Sequence, residues 1–187
     1  MMRIITGKAR GIKLVSLEGE ATRPTAERVK EAVFSMIQFD IEGRSVLDLF
    51  SGSGQLALEA LSRGASHAVM TDKSKDAVRI IKTNAEKTKL ASDCEIYNCD
   101  YKEYITKNRG KKFDIIFVDP PYAQNLYVSV LSMLLEADML KSTSIIICES
   151  GEEDIFGDNK VLSDRFEVIK SVRYSHSYIT LLTPKES

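Results

Sequence analysis

Ser45-Val-Leu-Asp-Leu-Phe-Ser-Gly-Ser-Gly-Gln-Leu-Ala57 is the stretch whose reading decides the fold. Residues 45–50 read as a strand and Ser51-Gly52-Ser53-Gly54 as a turn. A helical pattern then runs through Arg63, with Leu56, Ala60 and Leu61 on one face. Gly64 is placed to end that helix. Strand, glycine turn and helix in this order open a doubly wound fold, with a nucleotide-like ligand lying against the turn. Glycine lets the backbone approach a ligand where any Cβ would collide. Gly52-x-Gly54-x-x-Ala57 satisfies the loose dinucleotide fingerprint, so the turn alone leaves NAD and other nucleotide-like cofactors open.

Downstream, the run Phe113–Val118 is short, β-branched and aromatic, as a central parallel strand requires. Asp119-Pro120-Pro121-Tyr122 follows it directly. Ligands in open α/β sheets bind just beyond the carboxyl ends of strands, where this loop begins. Two prolines fix φ and impose extended geometry, holding the Asp119 carboxylate and the Tyr122 ring in a set relation. An acid that accepts from an amino group, beside a ring that stacks on a flat base, suits nucleobase chemistry. The same four residues also fit a plain proline-rich turn.

Three further acids stand at or near strand ends. Asp48 lies in the first strand, just before the turn. Asp72 ends the next expected strand about 20 residues beyond the glycines, where an acid binds ribose hydroxyls. Asp100 follows the strand at residues 95–99 and is equally suited to capping the next helix. With Asp119 they form a constellation along one edge of the expected sheet.

The 187 residues suit one domain, with or without a small appendage, and a content of 43% hydrophobic and 28% charged residues is that of a soluble globular protein. The longest apolar runs are too short to span a bilayer, and the start, Met-Met-Arg-Ile-Ile-Thr-Gly-Lys, lacks the apolar region of a secretion signal. Cys94, Cys99 and Cys148 are odd in number and without metal-type spacing. They are expected to be reduced, half-buried strand residues of a cytoplasmic protein, and no metal is expected. The net charge of −1 hides an asymmetry: Arg3, Lys8, Arg10, Lys13, Arg23, Arg28 and Lys30 crowd the first 30 residues, whereas Glu149, Glu152, Glu153, Asp154 and Asp158 form a late acidic loop. A basic arm on a neutral body makes a local phosphate-binding footprint, although a solvated charged hairpin would look the same.

The remaining pattern alternates strands and helices. Residues 2–6 and 12–15 suggest a hairpin around Gly7 and Gly11. Thr25 is expected to cap a helix reaching about Gln38, with Val29, Ala32, Val33, Met36 and Ile37 inward. Core strands are expected to begin near Ser45, His67, Cys94, Phe113 and Ser144. Ser74 suits the cap of a helix through Lys87 that turns Ala77, Val78, Ile81 and Ala85 inward. Residues 167–173 and 177–182 are expected to close the sheet as an antiparallel hairpin, with Tyr174, His176 and Tyr178 on one strand face.

Taken together, Val46-Leu-Asp-Leu-Phe-Ser-Gly-Ser-Gly54, Asp72, Asp100 and the Asp-Pro-Pro-Tyr loop resemble an S-adenosylmethionine-dependent amino-group methyltransferase. Arg3-Ile-Ile-Thr-Gly-Lys-Ala-Arg-Gly11, Arg23-Pro-Thr-Ala-Glu-Arg-Val-Lys-Glu-Ala-Val-Phe34 and Glu59-Ala-Leu-Ser-Arg-Gly-Ala65 resemble the RsmD family, from Arg3 to about Leu182. Ser51, Gln55 and Ala57 depart from the usual wording of that family. The resemblance implies an α/β fold: a Rossmann-like seven-stranded methyltransferase sheet with helices on both faces and a small N-terminal β-hairpin and helix extension. Residues 1–40 would form the basic, RNA-binding extension and residues 41–187 the methyltransferase domain.

The activity implied is methyl transfer from S-adenosyl-L-methionine to the exocyclic N2 of a guanine in 16S ribosomal RNA. The partner would be the small ribosomal subunit, and the enzyme a cytoplasmic monomer without metal or membrane. Asp119, Pro120, Pro121 and Tyr122 would be catalytic. Asp48, Ser51, Gly52, Gly54, Asp72 and Asp100 would hold the cofactor, and Arg3, Lys8, Arg10, Lys13, Arg23 and Thr25 the RNA. The alternatives are a DNA adenine-N6 methyltransferase, a protein-glutamine methyltransferase and a non-catalytic nucleotide-binding Rossmann module. A DNA enzyme usually needs a target-recognition domain for which little chain remains, a glutamine enzyme needs no basic arm, and a binding module leaves Asp119–Tyr122 idle.

Overall fold

A computed structural model describes residues 2–17, 24–121, 126–174 and 176–185, with the backbone alone at 24–26. Helix α1 (Pro24–Met36) precedes strand β1 (Ser45–Asp48), helix α2 (Gln55–Ser62), strand β2 (His67–Asp72) and helix α3 (Lys75–Lys87). A single 3-10 turn, Ala91–Asp93, leads to β3 (Cys94–Asn98), α4 (Tyr101–Lys107), β4 (Phe113–Val118), α5 (Leu126–Glu136) and β5 (Leu140–Ser150). The short α6 (Lys160–Ser163) and the hairpin β6 (Phe166–Tyr174) and β7 (Ser177–Pro184) complete the order.

The seven strands lie in the order β3-β2-β1-β4-β5-β7-β6. β1 to β5 run parallel, and β7 inserts antiparallel between β5 and β6. β1, β2 and β3 proceed outward on one side, and β4 and β5 on the other. The β1/β4 junction is therefore the switch point at which such sheets bind ligands.

Two-residue periodicity divides the central strands between two cores. Val46, Ala68, Met70, Ile115 and Phe117 face α1, α2, α3 and the N-terminal segment. Leu47, Val69, Ile116 and Val118 face α4, α5 and α6. Both faces are covered, which is why Phe113–Val118 is buried at every position. Truncating one such side chain, for example Leu47→Ala, costs about 2–5 kcal/mol.

The N-terminal segment contributes Ile4, Ala9 and Leu14 to the first of these cores. It wraps the last turn of α2: the Lys8 amide donates to the Ser62 carbonyl (2.8 Å), and the Ala9 amide to Ser62 Oγ (2.9 Å). The Glu59 carboxylate accepts the Ile5 and Thr6 amides at 2.7 and 3.0 Å. Gly7 has φ 87°, and a Cβ there would lie 1.8 Å from the Ser62 carbonyl oxygen. The segment can wrap the helix this closely only because residue 7 has no side chain.

Several expectations change in detail. The hairpin of residues 2–6 and 12–15 has paired arms, yet only one antiparallel bridge, Arg3 with Lys13; the Ile5 and Thr6 amides go instead to Glu59 and the Val15 amide to Asn84. α1 starts at Pro24, so Thr25 lies inside its first turn rather than at its cap; proline's fixed φ and missing N–H suit that first position. β1 leaves the ladder after Asp48, where the chain bends into the glycine turn.

β5 begins at Leu140, ahead of Ser144, because a register shift between Phe113 and Ile115 admits polar Lys141–Ser144 into the strand. Tyr174 and Tyr178 do not share a strand: Tyr174 ends β6 opposite Ser177, and Tyr178 lies in β7 opposite Arg173. The cysteines are free, but Cys99 lies after β3 and Cys148 is fully buried. Within the acidic loop, Ile155 and Phe156 are buried and tether it to the core.

Candidate active site

The glycine turn is closed and braced from within. The Gly54 amide donates to the Ser51 carbonyl (2.6 Å), and Gly54 stands in the left-handed region, φ 78° and ψ 11°, at the start of α2. A Cβ at Gly54 would meet Met70 Sδ at 3.2 Å and Ile81 Cγ2 at 3.3 Å, so glycine serves both the turn and the helix packing behind it. The Ser51 amide donates to the Thr71 carbonyl (3.0 Å), the Ser51 hydroxyl to the Asp48 carbonyl (2.9 Å), and the Thr71 hydroxyl to the Leu49 carbonyl (3.0 Å). These bonds fix the exit of β1 against the end of β2.

Asp72 fastens the turn to the next helix. One of its oxygens accepts the Gly52 amide at 2.9 Å, and the other accepts the Ser74 amide at 2.8 Å. Ser74 in turn caps α3 through the Ala77 amide. Asp48 lies beneath the turn, fully buried. Burial pushes its carboxyl up to about 7, against hydrogen bonds from Phe50, Ser51 and Ala57, while the neighbouring negative Asp72 adds to the rise. Asp100 caps α4, its Oδ1 accepting the Glu103 amide at 2.9 Å. The capping alternative is realised, and the carboxylate is solvent-exposed at the β3 edge.

Across the switch point, β4 delivers the second motif. Asp48 pairs with Phe117 in the β1–β4 register, so Asp119 stands just past the carboxyl end of the strand beside the glycine turn. Asp119 is half-buried, Pro120 buried and Pro121 exposed. Val118 pairs with Cys148 on β5. Burial first, and the Asp119 charge second, push the Cys148 thiol well above its ordinary range, keeping it protonated. Tyr122 and Arg23 lie outside the described residues.

This donor and acceptor set fits a cofactor with cationic and hydroxyl groups better than a dinucleotide. In a dinucleotide site the turn amides and the helix N-terminus receive a pyrophosphate. Here the Gly52 amide is committed to Asp72 and the Gly54 amide to Ser51, while Asp48 lies at the N-terminus of α2. A pyrophosphate would meet Asp48 and Asp72. A sulfonium, an ammonium and a ribose diol would meet acceptors, which is what S-adenosylmethionine offers.

The basic arm is only partly available. Arg3 pairs with Glu27 at 2.8 Å and Lys8 with Asp93 at 3.2 Å. Arg10, Lys13 and Arg28 are exposed. Lys30, grouped with the arm by its charge, is instead buried: it donates to the Arg3 carbonyl at 2.6 Å and pairs with Glu59 at 3.7 Å. Burial lowers its pKa even so, which marks a structural cation rather than a phosphate ligand. Thr25 sits in the first turn of α1, close in sequence to Glu27.

Sequence reading missed three braces: Glu59, Ser62 and Asn84. Each is a polar residue set among buried apolar neighbours on a helix, and that interruption of an apolar face is the signal. Tyr101 joins the glycine turn to α5: its hydroxyl lies 3.1 Å from Ser129 Oγ, while its ring packs 5.4 Å from that of Phe50. Among the described residues no group of three His, Cys, Asp or Glu side chains is arranged to hold a metal ion, and no helix is long and apolar enough to cross a membrane.

Comparison with known proteins agrees with this geometry. Residues 2–183 match the family described as Conserved hypothetical protein 95. The chain is 35% identical over 154 residues to ribosomal RNA small subunit methyltransferase D of Haemophilus influenzae, covering 81% of this chain and 80% of that protein. The protein of the same name from Escherichia coli K12 is 33% identical, with coverages of 82% and 76%. The solved structure of yhhF from Escherichia coli superposes with a TM-score of 0.85 at 27% identity, over 99% of this chain and 98% of that one. With the sheet order, the braced glycine turn and the Asp-Pro-Pro loop in place, the chain belongs to the Conserved hypothetical protein 95 family, the family of the small-subunit ribosomal RNA methyltransferases D.

Proposed function

We propose that this protein transfers a methyl group from S-adenosyl-L-methionine to the exocyclic N2 amino group of a guanine in 16S ribosomal RNA of the small ribosomal subunit. The observation that carries the reading is the placement of Asp119-Pro120-Pro121 beside the glycine turn at the β1/β4 switch point. When bound, the cofactor supplies a methyl group already activated by its sulfonium, so the protein's task is chiefly positioning.

Each site residue has a part in that positioning. Gly52 and Gly54 give the methionine portion access to the backbone, with Ser51 and Asp48 shaping the floor below. Asp72 accepts from ribose hydroxyls through lone pairs left beside its two backbone bonds, and Asp100 accepts from the adenine amino group through its second oxygen. The guanine amino group is a poor nucleophile because its lone pair is delocalised into the ring. Hydrogen bonds to the Asp119 carboxylate and the Pro120 carbonyl hold that nitrogen in line with the methyl. The Asp119 charge then stabilises positive charge developing on nitrogen as the methyl–sulfur bond breaks, and the nitrogen gives up one proton to Asp119 or to solvent. Pro121 keeps the loop extended, and Tyr122 stacks on a base drawn out of its RNA context.

Residues 1–40 act as the RNA-binding extension of the transferase domain at 41–187. Arg3, Lys8, Arg10 and Lys13 hold RNA phosphate, with Arg10 and Lys13 contributing free charge, while Arg23 and Thr25 serve nearer the acceptor entrance. The protein acts as a monomer in the cytoplasm. Incubation with labelled S-adenosylmethionine and small subunits, DNA or protein in parallel tests this reading. Label in RNA alone supports it, and label only in DNA or protein overturns the substrate.

A further inference from the structure

Asn84 is fully buried on α3 and uses its amide to join two functional parts of the molecule. Its Oδ1 accepts the Val15 amide at 2.7 Å, and its Nδ2 donates to the Val15 carbonyl at 2.9 Å. The other Nδ2 hydrogen goes to the Ser53 carbonyl, also at 2.9 Å. One side chain thus pairs with the backbone N–H and C=O of Val15 in the N-terminal segment while gripping the cofactor turn. The three bonds also fix the amide's orientation, since swapping oxygen and nitrogen would set an acceptor against two carbonyls.

A second contact joins the same two parts: the Ser53 hydroxyl lies 3.2 Å from Met2 Sδ. Between Met2 and Val15 run Arg10 and Lys13, two exposed cations of the arm. The apolar neighbours of Asn84 on α3, Ile81 and Ala85, show that a hydrophobic side chain would fit the helix stripe at this position. Burying a carboxamide there is therefore a choice in favour of the link.

We propose that Asn84 is a positioning residue that sets the RNA-holding arm at a fixed distance from the cofactor turn. The inference rests on the ribosomal RNA methyltransferase reading. RNA held by the arm then arrives with its amino group in line with the methyl, so the link governs the rate of transfer and not the affinity of either partner. Asn84 touches neither substrate nor cofactor.

The test uses the full-length chain and unmodified small subunits. Asn84→Leu removes the three bonds while keeping the branch at Cγ. Val15→Pro removes the arm's donor from the other side, at a surface position, and so serves if the helix variant fails to fold. Single-turnover methyl transfer per folded site is expected to fall about tenfold or more in each, as misplacement of reacting groups does. Dissociation constants for S-adenosylhomocysteine and for the subunit are expected to stay near wild type. The double variant is expected to be no slower than the single variants, because both cut one link.

An unchanged transfer rate, or a loss confined to melting temperature, overturns the inference. Multiplying effects in the double variant overturn it as well. If the wild-type protein places no methyl on RNA, the failure belongs to the functional reading instead.

Discussion

Asp48 stands opposite Phe117 in the parallel β1–β4 ladder, and that pairing brings the chain's two diagnostic motifs together. The glycine turn begins three residues after Asp48 and the proline loop two residues after Phe117. Both leave the sheet at the same edge. In the proposed reaction, a cofactor lying on one and a base held by the other would meet without rearrangement of the sheet.

Asp119 is proposed to carry the acceptor chemistry. Asp119→Asn keeps an acceptor oxygen but removes the charge that stabilises the developing cation. Turnover is expected to fall about 100-fold or more, the usual cost of a preorganised electrostatic group. Calorimetric affinity for S-adenosylmethionine is expected to hold. Unchanged turnover would take Asp119 out of the catalytic role.

Asp72 is proposed to carry cofactor affinity. Asp72→Ala leaves the Gly52 and Ser74 amides without their partner and removes the acceptor for ribose. The cofactor dissociation constant is expected to rise about tenfold or more, as loss of charge-assisted bonds of about 1.5–3 kcal/mol implies. A normal constant measured by calorimetry would refute the ribose assignment.

The arm is not uniform. Reversing Arg10 and Lys13 to Glu is expected to weaken RNA binding and flatten its dependence on salt, by about one unit of log–log slope for each phosphate that is no longer neutralised. The same reversal at Lys8 is expected to do less to RNA binding, because its charge is already paired with Asp93. Titrations at several salt concentrations separate the two, and equal effects would contradict the assignment.

Asp48 makes stability depend on pH. Its carboxyl rises from an ordinary 3.8 to about 7 in the folded chain, chiefly through burial. Between these values the folded state binds more protons than the unfolded chain. The contribution of Asp48 is therefore complete below about pH 4, declines as pH rises to about 7, and is flat above. Asp48→Asn is expected to raise the melting temperature of the cofactor-free protein at pH 8 by several degrees and to change it little at pH 4.5. Identical pH profiles for the two proteins would show that Asp48 is not the group responsible.

Much of this organisation is legible in the chain. Continuous apolar runs mark the buried strands, and Gly52, Gly54, Asp72 and the proline loop mark the carboxyl edge of the sheet. Ser74 and the inward face of α3 are equally plain. Tertiary effects account for the remainder. The first turn of β5 carries Lys141 to Ser144, and only the bulge against Phe113 makes those polar residues compatible with a strand. Lys30 reads as surface charge until Glu59 is found buried against it. The N-terminal hairpin gives its Ile5 and Thr6 amides to Glu59 of α2 and its Val15 amide to Asn84 of α3, and no local pattern encodes that competition.

The most direct test of the central claim is nucleoside analysis after methyl transfer from labelled S-adenosylmethionine to unmodified small subunits, alongside naked 16S RNA. The account predicts labelled N2-methylguanosine, with transfer lost in Asp119→Asn. Label in any other nucleoside, or none in RNA, would contradict it.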